Sequence, residues 1–377
     1  MTDSRIHATG SEYGFRTRVA YPLVIVFCSI VVLLLVAIVG FRAWLHHQIQ
    51  KEITDIRKAH HPVTLAESNA AYTPVPIREN AAVYFSEHFY SVKSDTNESK
   101  LPFVGRGSLP KPNIPLDEKT KAHMGAYLAK NAKGIETIHE AMQLPKSRYP
   151  IDLEMGPSTL LPHLSKIREA ENLLQLKTAL NIENGDRAAA LESLQDHLRL
   201  ANTLSNEPVM ISQIVRLAAI QLAVASAERV ISVAQLSNVE IDILAAAFAE
   251  AERSLANSWE RLVMDERTTG IGLFKMPTRE VMNQIDTGES ESIYFMVVGA
   301  RRLVGLWDAD MLFYLKTLAR AEKLDQRTYV DAIKESDEIN ASIERSGTPH
   351  TISRVLLPNF GNAITKLADA RAAVRTT

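Results

Sequence analysis

The stretch from Val19 to Phe41 constrains this chain more than any other, because it carries no charged side chain. As an α-helix rising 1.5 Å per residue it matches a hydrocarbon layer of roughly 30 Å. Arg16 and Arg18 bound it on one side, Arg42 and Trp44 on the other, which suits a helix whose ends lie among lipid headgroups. Helices buried in protein cores seldom run this long without a polar face. No Ala-x-Ala-like site follows Gly40, and the apolar run exceeds the usual signal-peptide core, so the segment is expected to stay as an anchor.

Basic residues flank both ends: Arg5, Arg16 and Arg18 before, Arg42, Lys51, Arg57 and Lys58 after. The positive-inside comparison is therefore close to even. The reading adopted keeps the short N-terminal end inside. It makes the chain a single-pass protein of the cell inner membrane, with its large C-terminal domain on the extracytoplasmic side.

The remainder predicts helices throughout. Residues 1–18 form a short tail, 19–41 the transmembrane helix, 42–79 a juxtamembrane helix and linker, and 80–377 an all-α domain. Leu45, Ile49, Ile53 and Ile56 recur at three- and four-residue steps and predict an apolar stripe on the stalk. Proline- and glycine-rich stretches predict exposed loops near 93–116 and 276–292. Asp117 is placed as an N-cap for a helix to Met142, and Asn184-Gly185-Asp186 as the turn between two helices. Pro208 is expected to open the next helix, Ser237 and Glu240 to form a capping box, and Asp308 to cap a later helix. Ile293 to Ala300 is an apolar run halted by Arg301 and Arg302, suited to a core or to a surface resting on lipid. No stretch alternates with period two. The fold class expected is all-α: an N-terminal transmembrane helix followed by a multi-helix bundle of antiparallel hairpins.

Charge excludes one class of partner. With 42 basic against 44 acidic residues and no basic stripe, nucleic-acid binding is not expected. The single cysteine, Cys28, lies within the anchor, so the rest of the chain has no thiolate for disulfides, zinc or nucleophilic catalysis. His46, His47, His60 and His61 form adjacent pairs, and neighbours on a helix point some 100° apart, so no metal is expected there. Gly105-Arg106-Gly107-Ser108 lacks the lysine of a phosphate loop, and Asp152 with Glu154 reads as an exposed pair. No cofactor is expected.

The segment around Pro208 carries the most informative polar residues. Ile211, Val215, Ala218, Leu222 and Ala225 make one apolar side, and Ile214, Leu217, Val224 and Ala227 another. Arg216 at the centre of a membrane span would cost about 2.5–3.5 kcal/mol, so this helix belongs inside a bundle rather than in lipid. A buried Gln213 and Arg216 need partners. Glu171 and Glu207, with His163 and Arg168 nearby, are the expected ones. This cluster is either a structural ion-pair network or a ligand site.

Arg148-Tyr149-Pro150, Leu160-Leu161-Pro162-His163-Leu164, Asn184-Gly185-Asp186, Glu207-Pro208 and the 211–216 segment, in that order, resemble a family of bacterial membrane proteins of unassigned activity. That resemblance implies an N-terminal membrane helix, an all-α domain and an envelope location, and it implies no reaction. The 184–186 hairpin is also locally similar to a tetratricopeptide hairpin, but no copy recurs about 34 residues away. Absence of His-Glu-x-x-His, Gly-x-Ser-x-Gly and nucleotide-loop motifs argues against a known catalytic class. The function expected is an envelope scaffold for a protein partner; a small-ligand sensor or a membrane-surface enzyme is the alternative.

Overall fold

The computed structural model describes residues 11–90, 92–93, 98–108, 111, 114–256, 258–284, 291–357 and 360–376. Among them the structure is helical, and no strand forms. The first ten residues of the expected tail lie outside the described residues. So do 285–290 of the loop expected near 276–292, and parts of the loop near 93–116.

The first helix, α1 (Ser11–Lys58), is continuous for 48 residues, about 70 Å. None of its residues from Val24 to Phe41 is buried in the protein, and the segment is long and apolar enough to cross a membrane. Beyond it the same helix enters the body of the protein. Leu45, Ile49, Ile53 and Ile56, the stripe read from the sequence, are buried. The stalk thereby shares the main core.

Four short helices follow: α2 (Leu65–Ala71), α3 (Ala81–His88), α4 (Glu118–Lys130) and α5 (Ala132–Met142). Thr64, Asn80 and Asp117 cap the first three through side-chain oxygens that accept backbone N–H groups. The single helix expected from Asp117 to Met142 is broken at Asn131, whose side-chain amide donates to Tyr127 O and Lys93 O. A polar side chain competing for backbone partners ends one helix and starts another.

The centre consists of α6 (His163–Glu183), α7 (Arg187–Asn202) and α8 (Met210–Val233), which pack on one another. Gly185 at φ 79° closes the α6–α7 turn, a conformation a side chain would strain, and Asp186 caps α7. Helix α8 is also apolar enough to span a membrane by composition, yet Leu217, Ile220, Ala223, Val224 and Val230 are buried by protein. Pro208 does not open it. The helix starts at Met210, because residues 204–209 form a turn whose carbonyls at Leu204 and Glu207 take the Gln213 amide.

The chain continues through α9 (Asn238–Ser254), α10 (Ser258–Lys275), α11 (Thr278–Gln284), α12 (Glu291–Leu303), α13 (Leu306–Ala321), α14 (Tyr329–Arg345), α15 (Thr351–Leu356) and α16 (Phe360–Thr376). Ser237 and Glu240 form the expected capping box on α9. Asp308 is not the cap of α13: Gly305, left-handed at φ 85°, occupies that position, and Asp308 lies in the first turn facing Arg42 at 3.8 Å. Gly305 packs so closely on Phe41, Arg42 and Leu45 that a β-carbon would lie 3.0 Å from the Arg42 side chain.

Two apolar cores meet at the α6–α7 pair. The smaller gathers Phe85, Phe89, Met124, Tyr127, Ile138, Tyr149 and the inner face of α6. The larger joins the stalk to α8, α10, α13, α14 and α16, with Trp259 and Trp307 donating to Ala321 O (2.9 Å) and Phe274 O (2.8 Å). An indole buried with its N–H satisfied gives large apolar contact without a stranded donor.

Candidate functional site

The turn between α7 and α8 gathers the buried polar side chains. His163, at the start of α6, stacks on Tyr149 with ring centroids 4.0 Å apart. Its Nε2 lies 3.0 Å from Oε1 of Glu207, which also accepts from the Ser212 hydroxyl. Burial pushes the Tyr149 phenol up, and its hydroxyl pairs with Thr203 Oγ1 at 2.9 Å. Gln213 donates to Leu204 O (2.8 Å) and Glu207 O (2.7 Å) and offers its own oxygen to Arg216. His163, Glu207, Gln213 and Arg216 therefore form one hydrogen-bonded layer.

Two residues of the expected cluster lie elsewhere. Arg168 is exposed on the outer face of α6. Glu171 is buried but paired with His197 of α7, and burial raises its carboxyl while that histidine opposes the rise.

Neither Glu171 nor Glu207 pairs with Arg216. Its guanidinium instead donates to Ser258 Oγ (2.9 Å), Ser254 O (2.7 Å), Ser254 Oγ (2.6 Å) and Asn202 Oδ1 (3.4 Å). The side of α8 carrying Arg216 faces the α9–α10 junction, where a break in the helices frees a carbonyl and two hydroxyls. Burial pulls its pKa from 12.5 down to about 9, and the like charge of Arg261 adds to the effect. At neutral pH it is a fully enclosed cation held by neutral acceptors.

Above Asn202 the surface opens into a cleft of about 820 Å³. One wall is the 71–75 segment, a second the turn 142–147, and the floor the end of α7 with residues 202–206. Arg261 of α10 closes it. Lys146, Arg199 and Arg261 line this cleft, whereas no carboxylate does. Lys146 is engaged by Glu79 at 2.7 Å. Arg261 donates to Ser205 O, and partial burial lowers its pKa against the pull of Glu260. Arg199 is exposed and makes no ion pair among the described residues. Arg216 lies one hydrogen bond behind Asn202, and of these four cations Lys146 alone has an ion-pair partner among the described residues, Glu79.

The charged groups lining the cleft are two guanidinium groups and an ammonium, beside the amides of Gln143, Asn202 and Asn206 and several hydroxyls. Such a set holds an anion, since charge-assisted hydrogen bonds from guanidinium to carboxylate or phosphate are short and directional. It contains no paired acid and base. Nothing in the local sequence marks Arg199 or Arg261, which fall within ordinary amphipathic helices 62 positions apart in numbering and meet only through packing. Among the described residues no group of three or more histidine, cysteine or carboxylate side chains could hold a metal ion. No protein-family model, curated protein or solved structure matches this chain.

Proposed function

We propose that this protein is a membrane-tethered binding protein: α1 crosses the bilayer once, and the helical body holds a small anionic ligand in the Arg199–Arg261 cleft. The observation that carries this reading is a cleft large enough for a small molecule, lined by three cations and no carboxylate, with a fourth cation enclosed behind it. Arg199 and Arg261 have no ion-pair partner among the described residues, and an anion bound between them relieves their mutual repulsion. We read the tether as an inner-membrane span with its short N-terminal end inside and the body on the extracytoplasmic side. The body is read as a bundle of antiparallel hairpins around α6, α7 and α8, without a reaction assigned.

Thermal unfolding of the detergent-solubilised full chain with inorganic phosphate, pyrophosphate or citrate tests the cleft. A ligand at 100 times its Kd stabilises by about 2.7 kcal/mol, which is readily seen as a rise in Tm. At least one of these anions should raise Tm in the wild type and fail to do so in Arg199→Gln/Arg261→Gln. Equal responses in the two proteins, or none in either, would refute the cleft as an anion site.

A second reading, a scaffold for a protein partner, is favoured by one further feature. A groove of about 330 Å³ between α7 and α9 is lined by Leu198, Ile243, Ala246 and Ala247, with Val239 and Ile241 exposed on the same helix. An amphipathic helix of a partner fits such a groove. Photo-crosslinking from position 243 in native membranes should then give one reproducible adduct; labelling by solvent and lipid alone would reject it.

A further inference from the structure

Helix α12 presents its apolar residues the wrong way round for a helix facing water. Met296, Ala300 and Leu303 recur at four- and three-residue steps, and Val297 and Val304, the latter in the turn just past the helix with its N–H on Ala300 O, flank them, so all five share one face. That face is exposed, with Met296 at 65% and Leu303 at 71%. Its arginines are turned inward instead. Arg301 donates to Pro349 O at 2.6 Å and lies 3.3 Å from Asp310, and Arg302 donates to Met276 O at 2.5 Å and covers the Trp307 ring. Val298 alone anchors the run of side chains described here in the core.

The position of this face explains it. The turn after α12 is fastened to α1 where the bare apolar segment ends. Arg42 donates to Leu303 O at 3.4 Å, and Gly305 lies against Phe41 and Leu45. Leu303 is thus held beside Arg42, the first charged residue after the span. Phe41 and Trp44, both exposed and stacked with centroids 6.1 Å apart, mark the same level, as aromatic residues do at a lipid–water boundary.

We infer that α12 is a second, monotopic contact with the bilayer: its Met296–Val297–Ala300–Leu303–Val304 face lies in the headgroup and upper acyl region of the membrane crossed by α1. The inference rests on the proposed tether. An amphipathic helix in this position lies flat with its apolar face inserted about 5–10 Å. Together the two contacts hold the body at a fixed tilt and height rather than on a free stalk, because the stalk is itself packed into the core.

The test uses the full chain with Cys28→Ser, reconstituted into vesicles of palmitoyl-oleoyl phosphatidylethanolamine and phosphatidylglycerol. Single cysteines carrying an environment-sensitive fluorophore replace Met296, Ala300 or Leu303. Val32 serves as the control within the span, and Leu160 and Val330, also exposed at 83% and 74%, as controls on the body. Labels at 32, 296, 300 and 303 should be quenched by lipids carrying a nitroxide on the acyl chain. Labels at 160 and 330 should respond only to iodide in solution. Quenching by lipid at 32 with 296, 300 and 303 behaving like 160 and 330 would overturn the inference and leave the tether standing. No lipid quenching at 32 would overturn both. Labels at 296, 300 and 303 shielded from lipid and iodide alike would show the face covered by protein, such as a second copy, and would also overturn it.

Discussion

Replacing Arg216 by methionine and by lysine should destabilise the protein in that order, with lysine the worse. The guanidinium is fully enclosed and makes five hydrogen bonds, three of them between 2.6 and 2.9 Å, to neutral acceptors. Lowering its pKa from 12.5 to about 9 corresponds to roughly 5 kcal/mol against the folded state, at about 1.4 kcal/mol per tenfold. Against this, three short bonds to a charged donor contribute about 1.5–3 kcal/mol each. Methionine fills similar volume, relieves the charge and strands Ser254 O and Asn202 Oδ1, so the difference leaves a net loss of about 2 kcal/mol.

Lysine loses the planar fork and, unlike arginine, can shed its proton when enclosed. Held neutral at pH 7, a lysine of ordinary pKa about 10.4 costs about 4.6 kcal/mol, which exceeds the methionine loss by about 2–3 kcal/mol. The two variants also differ in pH dependence. The buried lysine has a folded pKa below its unfolded one, so the unfolded chain binds more protons, and stability rises with pH up to about 10.4. In the wild type both states keep the Arg216 proton below about pH 9, so this residue adds no slope near neutrality. Urea unfolding of the solubilised protein at pH 7 and pH 9, followed by the fluorescence of buried Trp259 and Trp307, reads both effects. A lysine variant as stable as wild type, or one without a pH slope, would refute an enclosed charge held by neutral acceptors.

Three further outcomes follow from the same core. Burial raises the Glu266 carboxyl from 4.5 to about 7, opposed by the Tyr314 hydroxyl; the folded state therefore holds the extra proton, and about 3 kcal/mol of stability should be lost as pH rises from about 4.5 through 7. Glu266→Gln should remove that part of the pH dependence, and an unchanged profile in urea titrations would count against it. A β-carbon at Gly270 would sit 2.2 Å from the Tyr314 ring, so Gly270→Ala should cost at least about 3 kcal/mol, measured as a lower Tm. Asp310 accepts from Ile352 N (2.9 Å), Ser353 N (3.1 Å) and Ser353 Oγ (2.5 Å) while Arg301 lies 3.3 Å away; Asp310→Ala should cost about 3–5 kcal/mol and speed amide exchange across α15.

Local chemistry explains which features were legible in the sequence. Helix periodicity, the Asn184-Gly185-Asp186 turn, the Ser237–Glu240 box and the Asp117 cap depend on residues within one or two turns of each other, and these are present where the sequence placed them. The length and bareness of 24–41 and the stripe on the stalk are of the same kind. Even so, local signals failed where distant groups competed for the same atoms. Asn131 split a helix by bonding to Lys93, and Asp265 of α10 supplied the acceptor for the first N–H of α8, which Pro208 had been expected to open.

The candidate site divides along the same line. That Gln213 and Arg216 would be buried and satisfied followed from the two apolar faces of their helix, because a lone charge in a core is too costly to leave unpaired. Which groups satisfy them did not follow. The sequence offered Glu171 and Glu207, but Glu171 turned to His197 and Glu207 to His163, while Arg216 found a carbonyl and hydroxyls at a helix junction. Periodicity sets the direction a side chain faces on its own helix; only the packing of α6 to α10 sets what it meets. The same holds for the cleft: Arg199 and Arg261 lie on separate helices, and their shared field exists because the fold brings both to one cleft.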